Sequence, residues 1–324
     1  MSVEVSLWHW IAFCSAVLCL LVFDLAVVHR GSRETTLRQA ALWTVVWTSL
    51  ALAFNALVWW WQGRVHALEF FTGYLIEWSL SMDNVFVFAV VFGFFQVPKK
   101  YQYRVLFWGI LGAIVMRLTF VLAGAELLRR FEWLMYVFGG FLVFTAIKLA
   151  FHSGDDVHPD RNIILRLARK VLPVAEGDHG DKFFVREAGR RCVTRLFLVL
   201  LVIESTDVLF AIDSVPAIFG VTQDPFIVFT SNICAILGLR ALYFLLAGVM
   251  DLFRYLNYGL SAVLGFVGVK MMLPLVNEHW HIAPVPSLAV IALCLGVSIV
   301  ASIIAARREN HRNAISGGSP QSET

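Results

Sequence analysis

Long apolar stretches alternate with short polar segments along most of the chain. Each apolar stretch has roughly 20 residues, enough for an α-helix to cross a hydrocarbon core of about 30 Å. The pattern therefore predicts an all-α fold, a polytopic membrane bundle of nine transmembrane helices. The predicted spans are 7–28, 39–61, 70–95, 105–128, 132–151, 195–219, 225–250, 255–275 and 284–306.

Composition excludes an ordinary soluble domain. The 324 residues are 59% hydrophobic and only 15% charged, whereas soluble proteins carry about 25% charged residues. The first apolar stretch has no basic segment before it and contains Asp24, so we expect a retained span and not a cleaved signal peptide. The five cysteines are scattered without a C-x-x-C pair, which favours neither a disulfide framework nor a thiolate metal site.

Basic residues are distributed unequally between alternate loops. If the N-terminus lies outside, the segments on the cytoplasmic side hold nineteen Lys and Arg residues and the opposite loops hold three. Lys and Arg are enriched in the cytoplasmic loops of membrane proteins. The distribution therefore predicts an outside N-terminus, a cytoplasmic C-terminus and an odd number of spans.

The polar segments divide the chain into six parts. These are two N-terminal helices in 1–66, a three-helix unit in 67–151, a cytoplasmic linker in 152–194, a second three-helix unit in 195–276, a C-terminal helix in 277–308 and a disordered tail in 309–324. Within the linker, residues 161–172 place apolar residues at helical spacing with basic residues between them. This segment is either a short amphipathic helix at the membrane surface or a solvated connector.

The two three-helix units share an internal repeat. Each contains two acids separated by five residues, then an amide or hydroxyl residue, and later an arginine and a lysine. The matching residues are Glu77, Asp83, Asn84, Arg117 and Lys148 in the first unit and Asp207, Asp213, Ser214, Arg240 and Lys270 in the second. A unit of three spans ends on the side of the membrane opposite to its start, so we predict two inverted repeats. Secondary transporters with this architecture bind substrate near the bilayer midplane, where the repeats meet.

At least seven charged residues fall inside the predicted spans, and seven of them are informative. They are Glu77, Asp83, Glu204, Asp207, Asp213, Arg117 and Arg240. Each costs about 2.5–3.5 kcal/mol near the centre of a helix on insertion-based scales, so packing alone does not explain them. We expect spans three and six to be discontinuous near Asp83 and Pro216, which would let the carboxylates converge on one site.

The five carboxylates, with Asn84, Ser214 and Asn232, would form an all-oxygen ligand set. Such a set favours Mn²⁺, Ca²⁺ or Mg²⁺ over Cu⁺ or Zn²⁺. Arg117 and Arg240 are predicted to neutralise carboxylates in the absence of metal. The alternative is a set of buried salt bridges that locks the spans together. Five acids against two arginines nevertheless leave three negative charges for a cation or protons.

Three segments resemble the signature stretches of the TerC family of integral membrane proteins. They are Glu77 to Val85 (EWSLSMDNV), Glu204 to Ile218 (ESTDVLFAIDSVPAI) and Asp224 to Gly248 (DPFIVFTSNICAILGLRALYFLLAG). The resemblance covers nearly the whole chain and is closest to the Alx-like, alkaline-induced bacterial branch. It implies metal-ion export, most often of manganese, by a multi-pass protein of the bacterial inner membrane.

Residues and resemblance together predict a secondary transporter that exports a divalent metal ion through an acidic midplane site in exchange for protons. Mn²⁺ is the expected substrate and Ca²⁺ the second choice. The expected partners are the lipid bilayer, the cation and protons; we expect no nucleic acid, no enzymatic activity and no resident cofactor. The alternative function is a membrane factor for the metalation or assembly of exported proteins. An enzyme acting on an oxyanion is disfavoured because the cluster is acidic.

Overall fold

The computed structural model describes residues 5–28, 36–151, 162–175, 177, 179–187, 189–246, 255–276 and 282–316. Its helices are α1 (Leu7–Val28), α2 (Leu37–Gln62), α3 (Arg64–Phe94), α4 (Lys99–Arg130), α5 (Leu134–Phe151), α6 (Ile163–Val171), α7 (Arg195–Phe219), α8 (Pro225–Leu237), α9 (Leu239–Leu246), α10 (Leu256–Val276) and α11 (Pro284–Ser316). Strands β1 (Phe184–Glu187) and β2 (Arg190–Val193) form an antiparallel hairpin between α6 and α7.

The helices follow the predicted spans closely, and α8 with α9 fills span seven. Within the described part of the chain, eight segments are long and apolar enough to cross a membrane. The 25-residue α7 is not among them, because it carries three acids, Glu204, Asp207 and Asp213. The predicted fold class, a polytopic helical membrane bundle, is confirmed. The spanning of α7 stays a prediction.

Large apolar side chains cover the outside of the bundle. Trp60 is 85% exposed, Phe151 82% and Val276 77%. Lipid tails are as apolar as these side chains, so their exposure to a bilayer carries no hydrophobic penalty. The surface is therefore one that a membrane, and not water, would surround.

Two helices that the sequence predicted to be broken are continuous. α3 runs without interruption through residues 81–84, and α7 runs through Pro216. The Ser81 hydroxyl, within the predicted break, forms no hydrogen bond with any described residue, so it takes no backbone group away from the helix. Pro216 lies in the last turn of α7, so it removes one backbone hydrogen bond, to the Ile212 carbonyl oxygen, and the helix ends three residues later at Phe219. The interruption occurs instead at Gly238, between α8 and α9.

The helices of the two predicted repeats pack in matching pairs. α3 contacts α8 much as α7 contacts α4, and α3 also contacts α7 directly. The third helices of the two units, α5 and α10, form the most extensive helix pair in the described structure. A two-fold axis between two inverted units would produce these pairings. The inverted repeat itself stays a prediction.

Glycine lets α5 and α10 approach each other backbone to backbone. A Cβ placed on Gly139 would lie 2.9 Å from the carbonyl oxygen of Gly268, and one on Gly268 would lie 2.7 Å from that of Gly139. Further along the pair, the Ser261 hydroxyl donates to the carbonyl oxygen of Ala146 at 2.7 Å. Small residues of this kind permit close helix contacts in membranes.

The linker folds against α7. The Asn162 side chain caps α6 by accepting from the Leu165 N–H at 3.1 Å, and it donates to the Ser205 hydroxyl at 2.8 Å. Leu165 and Ala168 are buried, whereas Leu167 is 60% exposed. Of the two interpretations of residues 161–172, the structure therefore favours a helix, docked on the bundle. Residues 152–161 lie outside the described residues.

The last helix is longer than the predicted span. α11 continues to Ser316, so the first half of the segment 309–324, predicted to be a disordered tail, is helical. No Gly or Pro interrupts the sequence between Gly296 and Gly317, and nothing in this stretch therefore breaks the helix. Residues 317–324 lie outside the described residues.

Candidate functional site

Three neighbouring helices carry the charged centre of the bundle. Glu77 lies midway along α3, Arg117 lies on α4, and α7 supplies Asp207, Asp213 and Ser214. α7 contacts both α3 and α4. The central position follows from the sequence, because each charged residue has an apolar run on both sides.

Arg117 and Glu77 form a buried ion pair. Arg117 is 1% exposed and Glu77 is fully buried. The Nη1 of Arg117 donates to Glu77 Oε2 at 2.8 Å and to the Ser214 hydroxyl at 2.6 Å. The Asn232 Nδ2 also donates to Glu77 Oε2, at 3.0 Å. Glu77 Oε2 therefore links α3, α4 and α8 through hydrogen bonds, and the bond from Arg117 to Ser214 connects α7 to them.

Two cavities lie beside this ion pair. The first measures about 120 Å³ and is called the larger cavity. Its polar lining residues are Glu77, Asn84, Arg117, Thr145, Asp213 and Ser214, and its apolar ones are Leu80, Leu149, Phe210 and Leu264. The Thr145 hydroxyl donates to Asp213 Oδ1 at 3.2 Å. The larger cavity thus brings together one acid from each predicted repeat.

Several buried oxygens around the larger cavity have no hydrogen-bond partner among the described residues. They include Glu77 Oε1, Asn84 Oδ1 and Asn232 Oδ1. Buried polar atoms in proteins are nearly always hydrogen-bonded, so such oxygens need an explanation. Glu77 and Asn84 both line the larger cavity. These two unsatisfied acceptors and the Asp213 carboxylate are oxygen ligands of the kind that a hard cation prefers.

A second cavity of about 10 Å³, the smaller cavity, lies on another side of Arg117. Arg117 and Asn84 line both cavities, and Asp207 and Arg240 line only the smaller one. Asp207 is 3% exposed. It forms no hydrogen bond or ion pair with any described residue. Arg117 therefore stands between the acids of the larger cavity and Asp207.

The five predicted ligands do not form one cluster in the described structure. Glu77 and Asp213 share the larger cavity, Asp207 lines the smaller one, and Glu204 lies against α4 at Gly112. The side chain of Asp83 lies outside what the structure describes. Among the described residues, no group of three His, Cys, Asp or Glu side chains is arranged to hold a metal ion. The ligand assignment stays a prediction.

Arg240 has a partner that the sequence did not reveal. It forms a buried ion pair with Asp24 of α1, and its guanidinium lies 4.8 Å from the centre of the Tyr103 ring. Asp24 is 4% exposed. The position of Asp24 near the end of an apolar stretch indicated a buried acid, but the sequence pattern did not indicate which residue pairs with it. Arg240 therefore neutralises Asp24, although it was expected to balance the central acids.

The sequence matches a known family of membrane proteins. The profile described as "Integral membrane protein TerC family" matches residues 62–310. The chain belongs to the TerC family. The match spans both predicted repeats and both cavities, and it confirms the resemblance read from the three motifs.

Relatives of similar length support this assignment. The chain is 50% identical over 298 residues to an uncharacterized membrane protein of Myxococcus xanthus, covering 92% of each chain. It is 46% identical over 300 residues to a protein of Salmonella typhi, covering 90% of this chain and 92% of the relative. For a protein of Escherichia coli K12 the identity is 45% over 304 residues, covering 91% and 93%. The last two are called Alx, and their names put them forward as membrane-bound redox modulators. No solved structure matches the chain.

Proposed function

We propose that this TerC protein is a secondary transporter that exports a divalent metal ion, Mn²⁺, through the larger cavity. One observation carries the proposal. The buried oxygens Glu77 Oε1 and Asn84 Oδ1 have no described hydrogen-bond partner and belong to the side chains that line this cavity with Asp213. A cation seated among them would satisfy both.

The chemistry of the lining selects the class of ion. Its candidate ligands are carboxylate, amide and hydroxyl oxygens, the last from Ser214 and Thr145. Hard divalent cations such as Mn²⁺, Ca²⁺ and Mg²⁺ prefer oxygen, whereas Cu⁺ and Zn²⁺ prefer sulfur or imidazole nitrogen. Ca²⁺ is therefore the second substrate to test.

Charge balance supports exchange with protons. The described central acids are Glu77, Glu204, Asp207 and Asp213, and Arg117 is the guanidinium paired among them. Arg240 is paired with Asp24 and does not enter this balance. When ionised, the four acids and Arg117 together carry a net charge of about −3. This sum leaves out Lys148, whose positive charge acts on Asp213. Buried carboxylates need compensation, which metal and protons can supply in turn.

Metal uptake into proteoliposomes of known orientation tests the proposal. Mn²⁺, Ca²⁺, Mg²⁺ and Zn²⁺ are compared with and without a proton gradient. We expect Mn²⁺ transport that the gradient drives and that Asp83→Asn or Asp213→Asn abolishes at equal protein levels. Glu132→Gln, at an exposed position outside both cavities, is the matched control and should transport normally. Wild-type transport by both Asn variants would place the metal site elsewhere.

A redox role, which the Alx names put forward for those relatives, makes a different prediction. All five cysteines of this chain are described and free. Under the transport proposal, a variant with every cysteine changed to alanine keeps Mn²⁺ transport. Loss of transport in that variant, with normal membrane insertion, would favour thiol chemistry.

A further inference from the structure

Arg117 occupies the wall between two cavities. Together with Asn84 it lines the larger cavity, which holds Glu77 and Asp213, and the smaller cavity, which holds Asp207. One nitrogen of Arg117, Nη1, serves both Glu77 and Ser214. Its Nε is buried without a described hydrogen-bond partner. The guanidinium is therefore only partly satisfied in its present position.

Asp207 is a buried acid that forms no hydrogen bond or ion pair with any described residue, although the charge of Arg117 already acts on it. It is 3% exposed, and an ionised carboxylate buried without compensation is costly. The smaller cavity that it shares with Arg117 measures about 10 Å³, close to the room that one water molecule needs. Arg117 and this second acid therefore line one small cavity, and no described ion pair joins them.

A cation in the larger cavity would compete with Arg117 for Glu77. Two positive charges a few ångströms apart repel strongly in a low-dielectric interior. The guanidinium therefore gains by moving away from an ion that takes up Glu77, and the acid that lines the cavity on its other side is Asp207.

We propose that Arg117 is a tethered counter-cation that pairs with Glu77 when the larger cavity is empty and with Asp207 when the transported ion is bound. The inference rests on the proposed function and adds its regulation. Arg117 is then a positioning residue that sets the affinity of the ion site through Glu77. Asp207 is the receiver of its charge and not a ligand of the metal.

A double-mutant cycle on Mn²⁺ binding tests this coupling. Binding to the purified full-length protein in nanodiscs is measured by titration calorimetry for wild type, Asp207→Asn, Arg117→Gln and the double variant. We expect Asp207→Asn to weaken binding by about tenfold in the wild-type background, because the displaced guanidinium has no acceptor. With Gln at position 117, the same change should weaken binding by less than about twofold.

Arg117→Lys separates a mobile charge from a structural role. Lysine keeps the charge without the bidentate fork, so Asp207→Asn should again weaken Mn²⁺ binding in that background. If the Gln variants fail to fold, Arg117→Met, which also removes the charge, replaces them in the cycle. A purely structural arginine would give no such dependence on the charge at position 117.

Each other outcome overturns the inference. Equal weakening by Asp207→Asn in both the Arg and Gln backgrounds makes Asp207 a direct ligand. No weakening in the wild-type background leaves Arg117 fixed on Glu77, and loss of all binding in a folded Arg117→Gln variant makes the arginine part of the site itself. Failure of the wild type to bind Mn²⁺, Ca²⁺ or Mg²⁺ overturns the proposed function as well.

Discussion

The carboxyl group of Glu204 lies directly against the backbone of α4 at Gly112. A Cβ on Gly112 would stand 2.1 Å from Glu204 Oε1 and 2.5 Å from its carboxyl carbon. No side chain beyond hydrogen fits there unless the carboxyl group moves. Gly112 therefore determines where one of the three acids of α7 can lie.

Gly112→Ala should displace Glu204 and impair Mn²⁺ transport, because the new methyl group and the carboxyl group compete for one volume. The matched control is Gly140→Ala on α5, where a Cβ would meet nothing within 4 Å and alanine gains about 0.5–1 kcal/mol of helix stability. Transport rates in proteoliposomes and thermal unfolding are compared for both variants. Unchanged transport in Gly112→Ala would mean that the position of Glu204 does not matter.

The ion pair between Asp24 and Arg240 should anchor α1 to the bundle. Asp24→Asn leaves a buried guanidinium without its counter-charge, and removal of one partner from such a pair costs about 3–5 kcal/mol. We expect a lower unfolding temperature in detergent and a smaller loss when Arg240→Met is added. Arg130→Gln, which removes the exposed pair with Glu126, is the control and should change little. Additive losses in the double variant would contradict coupling between the two residues.

Docking of α6 on α7 should depend on one face of this short helix. Leu165 is 1% exposed and Leu167 is 60% exposed, so Leu165→Ala should cost about 2–5 kcal/mol of packing and Leu167→Ala far less. Trypsin cleavage of the linker in detergent reports the undocking. Equal protection of both variants would show that the buried face does not hold α6 in place.

Inverted repeats predict that equivalent loops face opposite sides of the membrane. In a cysteine-free background, Lys100→Cys should react with a membrane-impermeant reagent from the cytoplasm and Gln223→Cys from outside. Both positions are exposed, and each follows the first helix of its unit. Labelling from a single side would refute the inversion.

The helix bounds were predictable because each helix is one apolar block with polar residues at its ends. The start of α8 shows how local this signal is. Asp224 accepts hydrogen bonds from the N–H groups of Phe226 and Ile227, at 2.8 and 3.4 Å, and Pro225 is the first helical residue. Capping chemistry of this kind needs no knowledge of the rest of the fold.

Pairings between distant helices were not predictable in the same way. The sequence identified Arg240 as a buried cation but assigned it to the central acids, because apolar periodicity does not say which helices become neighbours. The predicted breaks near Asp83 and Pro216 failed for a related reason. A hydroxyl disturbs a helix only when it takes a backbone group out of the ladder, and a proline in the last turn removes only one bond.

The close packing of α5 on α10 affects the larger cavity, because α5 also carries the cavity-lining residue Thr145. Thr145, which donates to Asp213, directly precedes Ala146, whose carbonyl oxygen accepts from Ser261 of α10. The approach of α5 to α10 therefore sets how far Thr145 projects toward α7. Gly139 and Gly268, two residues that are not part of the cavity wall, set the approach of the helix that carries Thr145. We therefore expect alanine at either glycine to change the width of the cavity while every side chain lining it stays chemically the same.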